Sequence, residues 1–85
     1  MAWQNEDVGK HKVYYRPGLE SVVETLKNVW HSEGDYLNGI YAKARTNQDE
    51  GHIFRLREDG PEYKIKYTGQ SNGQDKYDIE KIRYN

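Results

Sequence analysis

The sequence predicts an α+β domain in which one amphipathic helix packs on an antiparallel sheet, in the order β-α-β-β-β-β. Three observations carry this. A single segment has its apolar residues at helical spacing, the C-terminal half alternates with a period of two, and turn-forming residues punctuate the alternating runs. At 85 residues the chain has room for one domain. Its 32% charged residues would suit a disordered chain, but 13% aromatics and the periodic apolar pattern argue for a folded one.

Residues 1–10 are polar and unpatterned, which predicts a flexible N-terminal arm ahead of a domain at 11–85. Trp3 stands out in that arm, either folding back on the core edge or serving as a contact residue. Lys12–Arg16 is rich in β-branched and aromatic types and reads as a strand, stopped by Pro17-Gly18. Leu19, Val22, Val23, Leu26 and Val29 then mark one face of a helix. Glu20 and Glu24 near its start and Lys27 and His31 near its end suit the helix dipole, and Gly34 reads as its stop.

The remainder reads as strands. In Tyr36–Arg45, Ile40, Ala42 and Ala44 alternate with Tyr41, Lys43 and Arg45. After the turn chemistry of Thr46–Gly51, Phe54 and Leu56 alternate with Ile53, Arg55 and Arg57. Beyond the Glu58–Pro61 turn, Tyr63, Ile65 and Tyr67 alternate with Lys64, Lys66 and Thr68. Asn72-Gly73 suits a type I′ hairpin. In the last strand, Tyr77–Tyr84, Ile79 and Ile82 fall on opposite faces, as a β-bulge or an edge position would allow.

If the apolar set faces the helix, then Tyr41, Lys43, Arg45, Arg55, Arg57, Lys64 and Lys66 share the opposite face, with the neighbouring acids confined to turns. Such a face could hold phosphates, with Tyr41 stacking on a base. It could equally meet an acidic protein, or be the ordinary polar exterior of a one-sided sheet. The net charge of −1 selects no partner.

No cysteine is present, which excludes disulfides, thiolate metal sites and a Cys nucleophile and favours a reducing, cytoplasmic setting. The start of the chain lacks a signal-peptide pattern, and no apolar run approaches the ~20 residues of a membrane span. His11, His31 and His52 fit no metal-ligand spacing, and no phosphate loop or nucleophile motif occurs, so no cofactor, metal or catalytic residue is implied. A non-enzymatic binding protein with a protein partner follows. The alternatives are a nucleic-acid-binding module using the basic face and a structural component that pairs through an exposed sheet edge.

The segments Asp49-Glu50, Asp59-Gly60-Pro61-Glu62-Tyr63-Lys64, Gln70-Ser71-Asn72-Gly73 and Lys76 resemble the C-terminal strands of the small phage uracil-DNA glycosylase inhibitors, where a D-x-P-E-Y-K turn precedes an S-N-G hairpin. Glu20-Ser21-Val22 is similar to that family's E-S-apolar segment, which touches the enzyme's DNA-binding groove. The resemblance implies a phage-type inhibitor that binds and blocks a DNA-processing enzyme, with Glu20 and Ser21 in the contact.

Overall fold

Two distant parts of the chain meet at the centre of the sheet. In the computed structural model, which describes residues 3–83, β2 (His11–Tyr15) runs parallel to β5 (Gln74–Arg83), with Val13 beside Tyr77 and Tyr15 beside Ile79. The other pairings are antiparallel. β1 (Gln4–Val8) lies outside β2, while β4 (Glu62–Ser71) and β3 (His52–Arg55) continue beyond β5, giving the order β1-β2-β5-β4-β3. The α+β class and the single helix layer agree with expectation. The sheet is mixed, and the element order is β-β-α-β-β-β.

Two assignments change. Gln4–Val8 is a strand and not a flexible arm; Met1 and Ala2 lie outside the described residues. The strand was hard to see because only Val8 enters the core from an otherwise polar edge. Trp3 lies under the Arg16 guanidinium, 5.1 Å from ring centroid to Cζ, and is 36% exposed.

Tyr36–Arg45 is helix. α1 spans Glu20–Thr46, 27 residues interrupted at Glu33, whose φ of −142° and ψ of 58° are not helical. A straight helix of that length would run about 40 Å, beyond the molecule's longest extent of 36 Å. The break at Glu33-Gly34, where the first apolar stripe ends, bends the element to fit the sheet. The second half buries Leu37, Ile40, Tyr41 and Ala44, again at i, i+3, i+4 and i+7, whereas Ala42 is exposed.

The inner face of the sheet supplies Val13, Tyr15, Phe54, Tyr63, Ile65, Tyr77 and Ile79 to the core beneath both halves of α1. Each such side chain, once buried, contributes about 1.5–3 kcal/mol before ordering costs. Trp30 packs over the β1–β2 turn: a Cβ at Gly9, where φ is +66°, would lie 2.7 Å from its ring. The β4–β5 hairpin turns through Asn72 and Gly73, with φ of 55° and 77°, as the type I′ reading requires. Ile79 is buried and Ile82 exposed. Three residues apart, they fall on opposite faces by alternation alone; β5 is a central strand and not an edge, and one register shift, between Glu62 and Tyr63 of β4, lies opposite Ile82. Tyr84 lies outside the described residues.

Candidate functional site

The residues nominated as one basic face divide between two layers. Tyr41, Lys43 and Arg45 belong to α1, on the other side of the sheet from the outward residues of β4. Tyr41 is only 2% exposed, its hydroxyl donates to the Val8 carbonyl at 3.1 Å, and burial pushes that hydroxyl above the ordinary phenol range, so it cannot stack on a base. Arg57 sits in the β3–β4 loop, where its carbonyl accepts from the Gly60 amide at 3.1 Å. Arg55, Lys64 and Lys66 remain on the outer sheet face.

That face alternates in charge and is not basic. Arg55 donates to Glu62 at 2.9 Å, Lys64 stands opposite Glu80, and Lys66 stands opposite Asp78. Toward the other edge Lys12 pairs with Asp7 at 3.5 Å, and the Lys76 ammonium lies 5.5 Å from the Tyr14 ring. The acids missing from the basic-face reading come from β5: Asp78 and Glu80 point outward because Tyr77 and Ile79 point in. Burial, and then Glu80, push the Asp78 carboxyl above its usual range. Ile53 and Ile82 are exposed at one end of the sheet, and no element covers the outer face among the described residues.

A second constellation, not foreseen, gathers around Asp75. This carboxylate is only 7% exposed. It accepts from Arg45 Nη1 at 3.3 Å, Gln70 Nε2 at 3.1 Å and Tyr67 Oη at 3.4 Å. His11 Nδ1 is buried without a hydrogen-bond partner, 3.9 Å from Asp75 Oδ2, and its ring meets Tyr41 edge-on at 4.4 Å. Burial outweighs the pull of Asp75 and holds this imidazole below the usual histidine range, so it is neutral at pH 7. Of these, His11, Tyr41, Arg45 and Asp75 border a cleft of about 390 Å³ with Asn38, Ala42, Thr46 and Tyr77.

The chemistry available there is limited by prior commitments. Tyr41 donates to Val8, and the Thr46 hydroxyl donates back to the Ala42 carbonyl at 2.9 Å, so neither hydroxyl is poised as a nucleophile. The network joins the end of α1 to the β4–β5 hairpin. The sequence carries no local sign of it, because Asp75 falls between the Asn72-Gly73 turn and the strand expected from Tyr77, and His11 is distant in the chain. No group of three His, Cys, Asp or Glu able to hold a metal occurs among the described residues, and no described helix is long and apolar enough to cross a membrane.

Glu20 and Ser21 open α1 and are exposed. Glu20 Oε1 accepts from the Gly18 amide at 2.8 Å, and the Ser21 carbonyl accepts from Thr25 Oγ1 at 2.9 Å. Ser21 also borders a shallow cleft with Arg57, Gly60 and Pro61, so the helix start and the Asp59–Lys64 turn are neighbours.

No protein-family model matches the chain, and no curated protein or solved structure matches it.

Proposed function

We propose that this chain is a non-enzymatic binding protein whose target is another protein, in the manner of a phage-type inhibitor of a DNA-processing enzyme. The observation that carries the binding reading is the uncovered outer sheet face, where cations and acids alternate beside exposed Ile53 and Ile82. Affinity for a phosphate backbone comes from cations that replace counterions, and here each cation of β3 and β4 stands against an acid. A surface of paired opposite charges with apolar positions at its margin suits a protein partner with a complementary pattern.

The inhibitor part of the reading rests on the resemblance in Asp59–Lys64 and Gln70–Gly73 and on the exposure of Glu20 and Ser21 beside that turn. It is tested directly. The purified protein is mixed with a bacterial uracil-DNA glycosylase, and both uracil excision and complex formation by size-exclusion chromatography are followed. Stoichiometric complex with loss of excision supports the inhibitor; full excision removes that target. In parallel, labelled single-stranded DNA, duplex DNA and RNA are titrated at physiological salt. Salt-resistant binding that weakens in Arg55→Ala/Arg57→Ala would replace the protein-partner reading with a nucleic-acid-binding module.

A further inference from the structure

We infer that the groove between β3 and the second half of α1 receives an extended segment of the partner protein, added as a sixth strand and carrying an acidic side chain beside Lys43. The inference rests on the protein-binding reading above and adds to the outer sheet face a second contact, at the β3 edge, with the chemistry of what it takes.

β3 is an edge strand, with β4 on one side and no strand on the other among the described residues. Its free backbone donors and acceptors are the usual template for strand addition. A groove of about 340 Å³ follows it, walled on the helix side by Tyr36, Gly39 and Lys43. Phe54 and Ile40, both buried, lie beneath it. Tyr36 at 51% and Ile53 at 49% are two of the large apolar side chains most exposed in the domain, and both border this groove.

Gly39 is the second observation. Glycine is the poorest helix former after proline, and its place in the interior of a helix requires a reason. Packing gives none, because a Cβ at Gly39 would meet nothing within 4 Å. The backbone there is helical with no positive φ, so conformation gives none either. What the missing side chain does is leave a notch in the groove wall, where a partner's side chain can approach the helix backbone closely.

Charge selects the occupant. Lys43 and His52 stand at the end of the groove where α1 hands over to β3, and no ion pair involves Lys43 among the described residues. Arg55, which also lines the groove, is held by Glu62, and Asp35 is the one acid in the lining, so the attraction for a carboxylate is local to Lys43. The free cation therefore calls for a carboxylate, and the alternating side chains of an added strand would place an apolar residue toward the Gly39 notch.

The test is a random dodecapeptide library displayed on phage, selected on the intact domain and, in parallel, on Gly39→Leu. Leucine favours helix, and a Cβ at this site has open space, so Gly39→Leu should unfold no earlier than the parent; a urea titration verifies this. The expected result is a set of peptides combining β-branched residues with Asp or Glu. A synthetic copy of the most enriched one should bind with amide shifts confined to 36–43 and 52–55. Its affinity should fall about tenfold or more in Gly39→Leu and in Lys43→Glu, and stay within about twofold in Gly39→Ala. Peptides that bind Gly39→Leu equally well, or whose shifts map to the outer sheet face, overturn the groove and leave the protein-binding reading standing. No enrichment over an unrelated control protein overturns the groove as well, and the complex-formation assay then decides the broader reading alone. A dimer of the domain that Gly39→Leu dissociates would give the groove to a second copy of this chain and overturn the partner segment.

Discussion

Arg45 and Asp75 meet across 3.3 Å where the last turns of α1 pass the start of β5, and the acid is the buried member of the pair. A half-exposed arginine and a buried carboxylate are unequal in what their loss costs. Arg45→Met leaves Asp75 with Gln70 and Tyr67 and some access to water, a cost of about 1 kcal/mol. Asp75→Ala strands several donors at once and should cost about 2–3 kcal/mol. Urea denaturation of both variants ranks them, and the opposite order would mean that the carboxylate is not the hub of the network.

Gly9→Ala should destabilise the domain by about 1–3 kcal/mol, for two separable reasons. The residue occupies a left-handed conformation, and its added methyl would collide with the Trp30 ring. Trp30→Phe in the same chain should recover part of the loss, because only the steric component depends on the indole. A double-mutant cycle by chemical denaturation measures that coupling, and strict additivity would show that Trp30 does not cap the turn.

Leu26→Asp should leave the chain unfolded at 25 °C. Leu26 is 1% exposed at the centre of the first helical stripe, and the substitution buries an unpaired charge. Glu20→Ala, six residues earlier and exposed, should change stability by no more than about 0.5 kcal/mol. Circular dichroism with a thermal scan distinguishes the two.

Acid should weaken the fold in two stages. Burial holds His11 and His52 below their ordinary value of 6.5, so the unfolded chain takes up protons first and stability present at pH 7 is lost as the pH falls below 6.5. Glu6 accepts from Lys27 and, at 2.6 Å, from Tyr15, which hold its carboxyl below 4.5, so a further loss begins beneath that value. Asp78, pushed up by burial, acts in the opposite sense near the bottom of the range. His11→Phe keeps an aromatic ring against Tyr41 and Tyr77 and removes one titration. It should flatten the slope of stability on the acid side of pH 6.5, measured by urea midpoints as the pH is lowered. An unchanged slope would place the proton uptake elsewhere.

The first helical stripe, the strands holding Val13, Phe54 and Ile65, and the Asn72-Gly73 turn were legible in the sequence because each shows its own period or turn chemistry locally. The second half of α1 was not. Ile40, Ala42 and Ala44 alternate over five residues, a window too short to separate a strand from a helix whose true stripe, Leu37, Ile40, Tyr41 and Ala44, shares two of the same positions. That misassignment moved Tyr41, Lys43 and Arg45 to the wrong layer and produced the basic face. β1 was hidden for another reason: an outermost strand that contributes one core residue has almost no apolar period to read. The Asp75 network depends on which strands become neighbours, and the parallel contact of β2 with β5 is a property of the whole chain, with no local signature.

That contact also dictates when the domain can exist during synthesis. β5 is the last of the described strands in chain order and lies third of five in the sheet, between β2 and β4. Until it emerges, the β1–β2 hairpin has no bond to the rest of the sheet, and α1 has no complete surface to lie on. A ribosome-bound chain lacking residues 74–83 should therefore remain protease-sensitive along its length and gain protection in a single late step, without a stable N-terminal half as an intermediate.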